Sequence, residues 1–402
     1  MGPRPTSTAL RRLVLPVYLP VLAVNAGVSM LVPILPLYLE SLSLDYSAIG
    51  YVLAAAGLGS ALSQLPVGEM LRRRSETETM VISVLVLAGS VALLGATGAA
   101  LALVGLQFVW GVGSVGWLLS RQSFLTRTVD PVLRGRAMSL FGGTIRLAYL
   151  IGPLLGGWTA DRFGFSTAFW ATAVVTAAGL VPLLFWRPIA GEVRTNAETI
   201  EAAAAEGSLR GHRTALAVAG AGQLCVMLAR QGRFVVLPLI GAAFGLDPGE
   251  VGVLVAVGSF ADLVLFPVSG VLMDRFGRLF AIVPSFTLLG VGLLVLSRAD
   301  GTTGVAVAAV VMGVGNGLGS GTMLTLSSDL APVASPARFL ASMGAIRDVG
   351  KIIGPIIVGS LADAAGLDAS SLALAAVAGL GVVIIAFGVG ETRGRAAAAA
   401  PS

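Results

Sequence analysis

The chain has 402 residues, of which 56% are hydrophobic and 12% charged, with 53 glycines, and its mean hydropathy is +0.90. So few charges cannot cover that much apolar surface in water, which excludes an ordinary soluble domain. The formal charge of +5 does not point to nucleic acid, because the basic residues stand singly or in threes between apolar runs, the placement that orients a chain in a membrane.

Taken in order, the apolar runs fall at 13–39, 47–70, 79–97, 101–124, 136–160, 167–186, 214–243, 249–272, 279–297, 303–327, 338–362 and 370–389. Each approaches or exceeds the roughly 20 residues that cross a bilayer as a helix. The expected fold is an all-α membrane protein with twelve transmembrane helices, whose even number puts both termini on one side. That side collects 18 of the 26 basic residues, while only Arg162 and Arg298 fall on the other, so both termini are expected to be cytoplasmic. The expected organisation is a cytoplasmic tail over 1–12, a six-helix bundle over 13–186, a cytoplasmic linker over 187–213, a second six-helix bundle over 214–389 and a tail over 390–402. Residues 197–205 in the linker suit a short surface helix, and the alanine-rich stretch from Arg393 to Ser402 reads as disordered. No cleavable leader is expected, since the first run continues past Asn25 and Pro33 into further runs.

A repeat at a separation of 202 residues links the halves. Ile151-Gly152-Pro153 returns as Ile353-Gly354-Pro355, Asp161 as Asp363, Gly68 as Gly270, Arg73 as Arg275, and Gly111-Val112-Gly113 as Gly313-Val314-Gly315. Two related halves in a membrane are a common transporter plan. Around Gly152, Pro153, Gly156 and Gly157 the small side chains allow close helix approach, and Arg146 precedes them at a depth where a cation belongs in a protein interior or an aqueous cavity.

The remaining charges inside the runs are where chemistry is expected. Asp262, thirteen residues into the eighth run, is the leading proton site, and a permanently paired structural aspartate is the other reading. Arg230 and Arg233, three residues apart on the seventh run, either neutralise Asp262 or bind an anionic part of a substrate. Arg347, Asp348 and Lys351 on the eleventh run form either an internal structural or gating network or a direct substrate contact, and Asp348 joins Asp262, Arg146 and Arg230 as a candidate for proton coupling. Asn25, Gln107, Trp110, Gln223, Arg233 and Asn316 are candidate substrate contacts, supplying hydrogen bonds, an apolar wall and charge. The acidic residues of the outer breaks, Asp363 among them, read as loop caps, with Glu40 a candidate vestibule residue. No nucleophile-base cluster is present, so no enzymatic activity is expected, and the single Cys225 and single His212 give no metal site. The run Gly313 to Gly319 lacks the lysine of a phosphate-binding loop and lies within an apolar helix.

These features resemble the major facilitator superfamily. The resemblance is clearest in Gly270-Val271-Leu272-Met273-Asp274-Arg275-Phe276-Gly277-Arg278, which follows the family's cytoplasmic loop signature, with a degraded counterpart at Gly68-Glu69-Met70-Leu71-Arg72-Arg73-Arg74-Ser75. Here Arg72 stands at the usual aspartate position, and Glu69 or Glu76 is the candidate replacement. Gly152-Pro153-Leu154-Leu155-Gly156-Gly157 is similar to the antiporter signature of the fifth helix, whereas the fourth-helix arginine is absent before Trp110-Gly111. The resemblance implies the major facilitator fold and gating roles for Gly68, Asp274, Arg275, Gly277, Arg278, Gly152, Pro153, Gly156 and Gly157. It also implies proton-coupled export of a small amphipathic molecule, a drug or natural product, by alternating access. The alternatives are a facilitator or proton-linked importer of a polar or anionic metabolite, and a non-transporting membrane receptor. No cofactor other than the coupling proton, no nucleic acid and no obligate second subunit is expected. The partners are the substrate and lipid, and the location is a bacterial inner membrane.

Overall fold

In the computed structural model the described residues are 17–128, 134–184, 212–332 and 335–393. The linker helix expected at 197–205, the tail over 394–402 and, of the arginines expected on the cytoplasmic side, Arg4, Arg11, Arg12, Arg187, Arg194, Arg210 and Arg395 lie outside them. Every regular element among the described residues is helical: α1 (Leu19–Ser41), α2 (Tyr46–Arg73), α3 (Glu76–Leu94), α4 (Ala100–Thr128), α5 (Arg134–Ala178), α6 (Leu180–Leu184), α7 (Arg213–Ala243), α8 (Pro248–Arg275), α9 (Arg278–Leu296), α10 (Thr302–Leu318), α11 (Thr322–Leu330), α12 (Pro336–Ala365) and α13 (Leu367–Val383), the last continued by a π-helical turn over Ile384–Val389. Ten described stretches are long and apolar enough to cross a bilayer. One of them contains α5, whose 45 residues exceed any bilayer and which breaks at Gly164, where φ of 83° ends one helix and starts the next. The 30-residue α12 is long enough to cross but carries Arg347, Asp348 and Lys351 in its middle. The tenth expected crossing is itself interrupted: α10 stops at Leu318 and α11 resumes after Gly321, whose φ is 73°.

Two compact units emerge, one drawn from Met1–Tyr38, Ala55–Ala197 and Asp247–Ala256, the other from Leu39–Ala54, Glu198–Leu246 and Val257–Ser402. In the first unit, Met80, Val84 and Leu87 of α3 pack with Trp117, Phe124 and Leu125 of α4, Phe141 of α5 and Val21 and Val24 of α1. Gly152 and Gly156 bring α5 against Ser29 and Met30 of α1, and the Ser29 hydroxyl donates to the Ala148 carbonyl at 2.8 Å. In the same unit, Pro153 and Gly157 meet Gly252 of α8. The second unit packs Ala219 of α7 against Phe339 and Met343 of α12. Its residues Tyr46 and Ser47, at the start of α2, donate their backbone N–H groups at 2.9 Å to Asp363 of α12. Asp363 is thus a cap, as expected, but of a helix 316 residues away in sequence. Leu65, Leu101 and Phe387 are more than four-fifths exposed, as side chains facing lipid are.

Candidate functional site

Helices α8 and α10 meet backbone to backbone. A methyl group on Gly313 would run into the Gly258 carbonyl oxygen, and one on Gly317 would sit 2.9 Å from the Asp262 carbonyl oxygen. With no side chains holding the helices apart, Asn316 Nδ2 donates to Asp262 Oδ2 at 2.8 Å. Two arginines from α7 reach α10, one at a turn of the helix and the other at the residue that ends it. Arg233 Nη1 donates to the Met312 carbonyl at 3.5 Å, and Arg230 Nη2 to the Gly319 carbonyl at 3.3 Å. Residues 312, 316 and 319 share one face of a helix, so the carboxylate contact is flanked on both sides by guanidinium contacts. The Arg230 guanidinium carbon lies 5.3 Å from the Phe286 ring centre and that of Arg233 4.6 Å from the Phe234 ring centre, where aromatic faces favour a cation. Asp262, Asn316, Arg230 and Arg233 are all half-buried, so the group is enclosed yet reachable.

The internal repeat supplies a control for this arrangement. Moving back 202 residues takes Asp262 to Ser60, Asn316 to Ser114, Gly313 to Gly111 and Gly258 to Ala56. In the first unit a methyl on Gly111 would likewise strike the Ala56 carbonyl oxygen, and the Ser60 and Ser114 hydroxyls lie 3.3 Å apart. The same helix packing is therefore held by a neutral hydroxyl pair in one half and by an ionisable pair in the other. A carboxylate is not what this packing needs. The 202-residue register alone pairs Ser60 with Ser114, but two serines carry no charge to attract notice.

The other expected site residues fall into separate settings. Asp348 is buried on α12 and pairs with Lys351 at 2.8 Å and, more loosely, with Arg347 at 3.8 Å. The repeat makes Asp348 the equivalent of Arg146, so the two halves carry opposite charges at matching positions. Gln223 Nε2 donates to the Met343 carbonyl at 3.2 Å, tying α7 to α12. In the first unit Arg146 Nη1 and Asn25 Nδ2 donate to carbonyls of their own helices, Gly142 at 3.2 Å and Val21 at 2.8 Å. Gln107 is buried with its Nε2 lacking a hydrogen-bond partner, and Trp110 packs on the α3–α4 core.

The loop signature after α8 builds a tight charged cluster in the second unit. Arg278 Nε donates to Asp329 Oδ2 at 2.8 Å, and Nη1 lies 3.5 Å from Asp274 Oδ1. Glu391 follows the last crossing and carries no sequence signal of a role. It accepts the backbone N–H groups of Arg278 and Leu279 at 2.9 and 3.0 Å, capping α9. Gly277 has φ of 115°, and a methyl there would meet Glu391 Oε2 at 2.6 Å, which accounts for the glycine. The Arg275 guanidinium lies 5.7 Å from the Phe276 ring centre, while its carbonyl accepts from Arg393 Nη1 at 2.6 Å. In the first-half counterpart, Glu69 takes Arg72 and Arg73 on its own helix, and buried Glu76 accepts the Ser123 hydroxyl at 2.9 Å. A methyl on Gly68 would meet nothing within 4 Å.

Burial pushes the Glu391 carboxyl up, but the four backbone N–H donors of Arg278, Arg393, Leu279 and Thr392 outweigh it and hold the group below the usual carboxylate range. A depressed acid stabilises the fold above its unfolded pKa, and that contribution is lost as pH falls through the folded value. Glu391→Gln is expected to destabilise the neutral-pH protein by about 1 kcal/mol. Thermal unfolding against pH should show the gap between variant and native chain close on acidification.

The sequence profile of the Major Facilitator Superfamily matches residues 18–222 and 219–402, one match to each half. The chain is 19% identical over 348 residues to an uncharacterised MFS-type transporter of Methanocaldococcus jannaschii, covering 85% of this chain and 89% of that one. It is 24% identical over 346 residues to multidrug resistance protein MdtG of Proteus mirabilis, covering 83% and 85%. The crystal structure of a point mutant of nucleoside transporter NupG superposes with a TM-score of 0.75 at 14% identity, covering 94% and 99%. With a helical fold, membrane-length apolar segments and a family match running through both halves, this chain belongs to the Major Facilitator Superfamily and is a multi-pass membrane transporter with the all-α fold of that family.

Proposed function

We propose that the transporter exports a small amphipathic molecule, of the drug or natural-product class, in exchange for protons, and that Asp262 carries the proton. The observation that carries this reading is the replacement of the first half's Ser60–Ser114 pair by Asp262–Asn316 on equivalent helices. The similarity to multidrug resistance protein MdtG of Proteus mirabilis supports a drug-like substrate. A carboxylate enclosed by apolar helices holds a proton tightly, and one facing guanidinium groups releases it. Arg230 and Arg233 of α7 donate to the Gly319 and Met312 carbonyls on either side of Asn316, the partner of Asp262. In alternating access, protonation from outside neutralises the carboxylate and lets the site turn inward. Substrate arriving from the cytoplasm then displaces the proton and is carried out. Asn316 holds the carboxylate in place through either state, since its amide can donate to one and accept from the other. Gln223, Asn25, Gln107 and Trp110 serve as substrate contacts, and the Arg278 cluster and the Gly152–Gly157 segment serve as gates. The chain works as a monomer in a bacterial cytoplasmic membrane with both termini in the cytoplasm, and needs no cofactor beyond the proton.

Cells producing the native chain are expected to exclude a lipophilic cationic dye until a protonophore is added. Asp262→Asn should raise dye accumulation to the level of cells without the protein. Equal, protonophore-insensitive dye equilibration by both chains would instead indicate a facilitator.

A further inference from the structure

In the first unit, α4 buries a cation that no described carboxylate neutralises. Arg121 is 4% exposed, and its Nε and Nη1 atoms are enclosed with no hydrogen-bond acceptor. One turn earlier, Trp117 is equally buried, and its indole Nε1 also lacks an acceptor. The guanidinium carbon lies 4.4 Å from the ring centre of Phe141 on α5 and 5.3 Å from that of Trp117, so the charge is held by two rings. Enclosed donors without acceptors are costly and rare in native proteins, and three of them on residues one helical turn apart, two on a charged guanidinium, amount to a local excess of donors.

The repeat again shows what the fold itself requires. The residue equivalent to Arg121 is Met323, and the one equivalent to Trp117 is Gly319, so the second half carries neither side chain; the cation beside Gly319 is Arg230 of α7, which donates to the Gly319 carbonyl. Arg121 lies seven residues before the end of α4 at Thr128, about 10 Å along the helix from the arginine-rich break. An oxyanion arriving from that side, on a phospholipid headgroup or on a soluble molecule, would part the rings that enclose the donors.

We propose that Arg121, Trp117 and Phe141 form an anion site that takes a phosphate or carboxylate group, with the guanidinium fork and the indole N–H donating to its oxygens and the phenyl ring packing behind the fork. It is separate from the Asp262 group, which lies in the other unit, and it does not depend on the proton-exchange reading. Planar guanidinium suits two-pronged recognition of such oxyanions.

The test uses the purified full-length chain, native and as Arg121→Gln, Arg121→Met, Arg121→Lys and Trp117→Phe. Two probes are applied: phosphatidylglycerol, followed by native mass spectrometry after detergent stripping, and sodium benzoate, followed by the shift in thermal unfolding. The expected result is that at least one probe binds the native chain tenfold or more tightly than Arg121→Gln. Arg121→Lys should fall between them, and Trp117→Phe should weaken binding about threefold. Retention of phosphatidylglycerol alone assigns the oxyanion to lipid, and stabilisation by benzoate alone assigns it to a soluble acid. Equal behaviour of the native chain and Arg121→Gln towards both probes would overturn the proposal, as would Arg121→Met binding both probes as the native chain does. The Met variant copies the residue of the second half and guards against loss of fold in the Gln variant.

Discussion

Valine in place of Gly313 is expected to cost about 3 kcal/mol or more and to leave little folded protein in the membrane. The contact it disrupts is between main chains: the new Cβ would collide with the Gly258 carbonyl oxygen, which has no flexible end to swing aside. Separating α8 from α10 also withdraws Asn316 from Asp262, so any protein that does fold should lose function as well. Gly111→Val should behave in the same way, because its Cβ would meet the Ala56 carbonyl in the equivalent place. Gly68→Ala is the control, with open space at that position and an expected change within about 0.5 kcal/mol. Yield of monodisperse protein and its thermal unfolding distinguish the two valine variants from the control.

Transplanting the first half's pair into the second, Asp262→Ser with Asn316→Ser, should have the opposite profile. Since Ser60 and Ser114 already sit between helices packed in the same way, the double variant is expected to fold with an unfolding temperature close to that of the native chain. It should lose roughly all pH-driven substrate movement, because serine does not titrate in the working range. A double variant that fails to fold would make Asp262 a structural partner of Asn316 and of the arginines beside it. Retained pH-driven transport would place the coupling proton elsewhere, with buried Asp348 the next carboxylate to test.

Much of this architecture is legible in the sequence because a bilayer imposes simple rules. Apolar runs of the right length become helices, and the 202-residue repeat follows from a duplicated unit in which Gly111 and Gly313 are each pressed against a facing backbone carbonyl. The loop signature after α8 is legible for a similar reason, since Gly277 needs a positive φ that other residues resist. Asp262 stands out because a mid-helix carboxylate in lipid demands an explanation. What the sequence does not reveal depends on contacts between distant segments. Glu391 reads as a polar residue after the last crossing, and only the fold turns it into the cap of α9. Asp363 reads as a loop cap, and only the fold shows that the capped helix is α2. Arg121 reads as one arginine near the end of a crossing, and nothing local says that its fork is enclosed by Trp117 and Phe141 without an acceptor. The interruption between α10 and α11 is hidden because a glycine-rich apolar run looks alike whether it is one helix or two.

Substrate-driven proton flux in sealed proteoliposomes, native chain against Asp262→Asn, tests the central claim most directly. A pH-sensitive dye inside the vesicles should report proton movement when lipophilic cations, neutral antibiotics or organic acids are presented to the native protein. That signal should vanish in the variant while substrate binding persists. Equal proton flux in the two proteins, or substrate movement with no proton flux in either, would contradict the assignment of Asp262 as the coupling carboxylate.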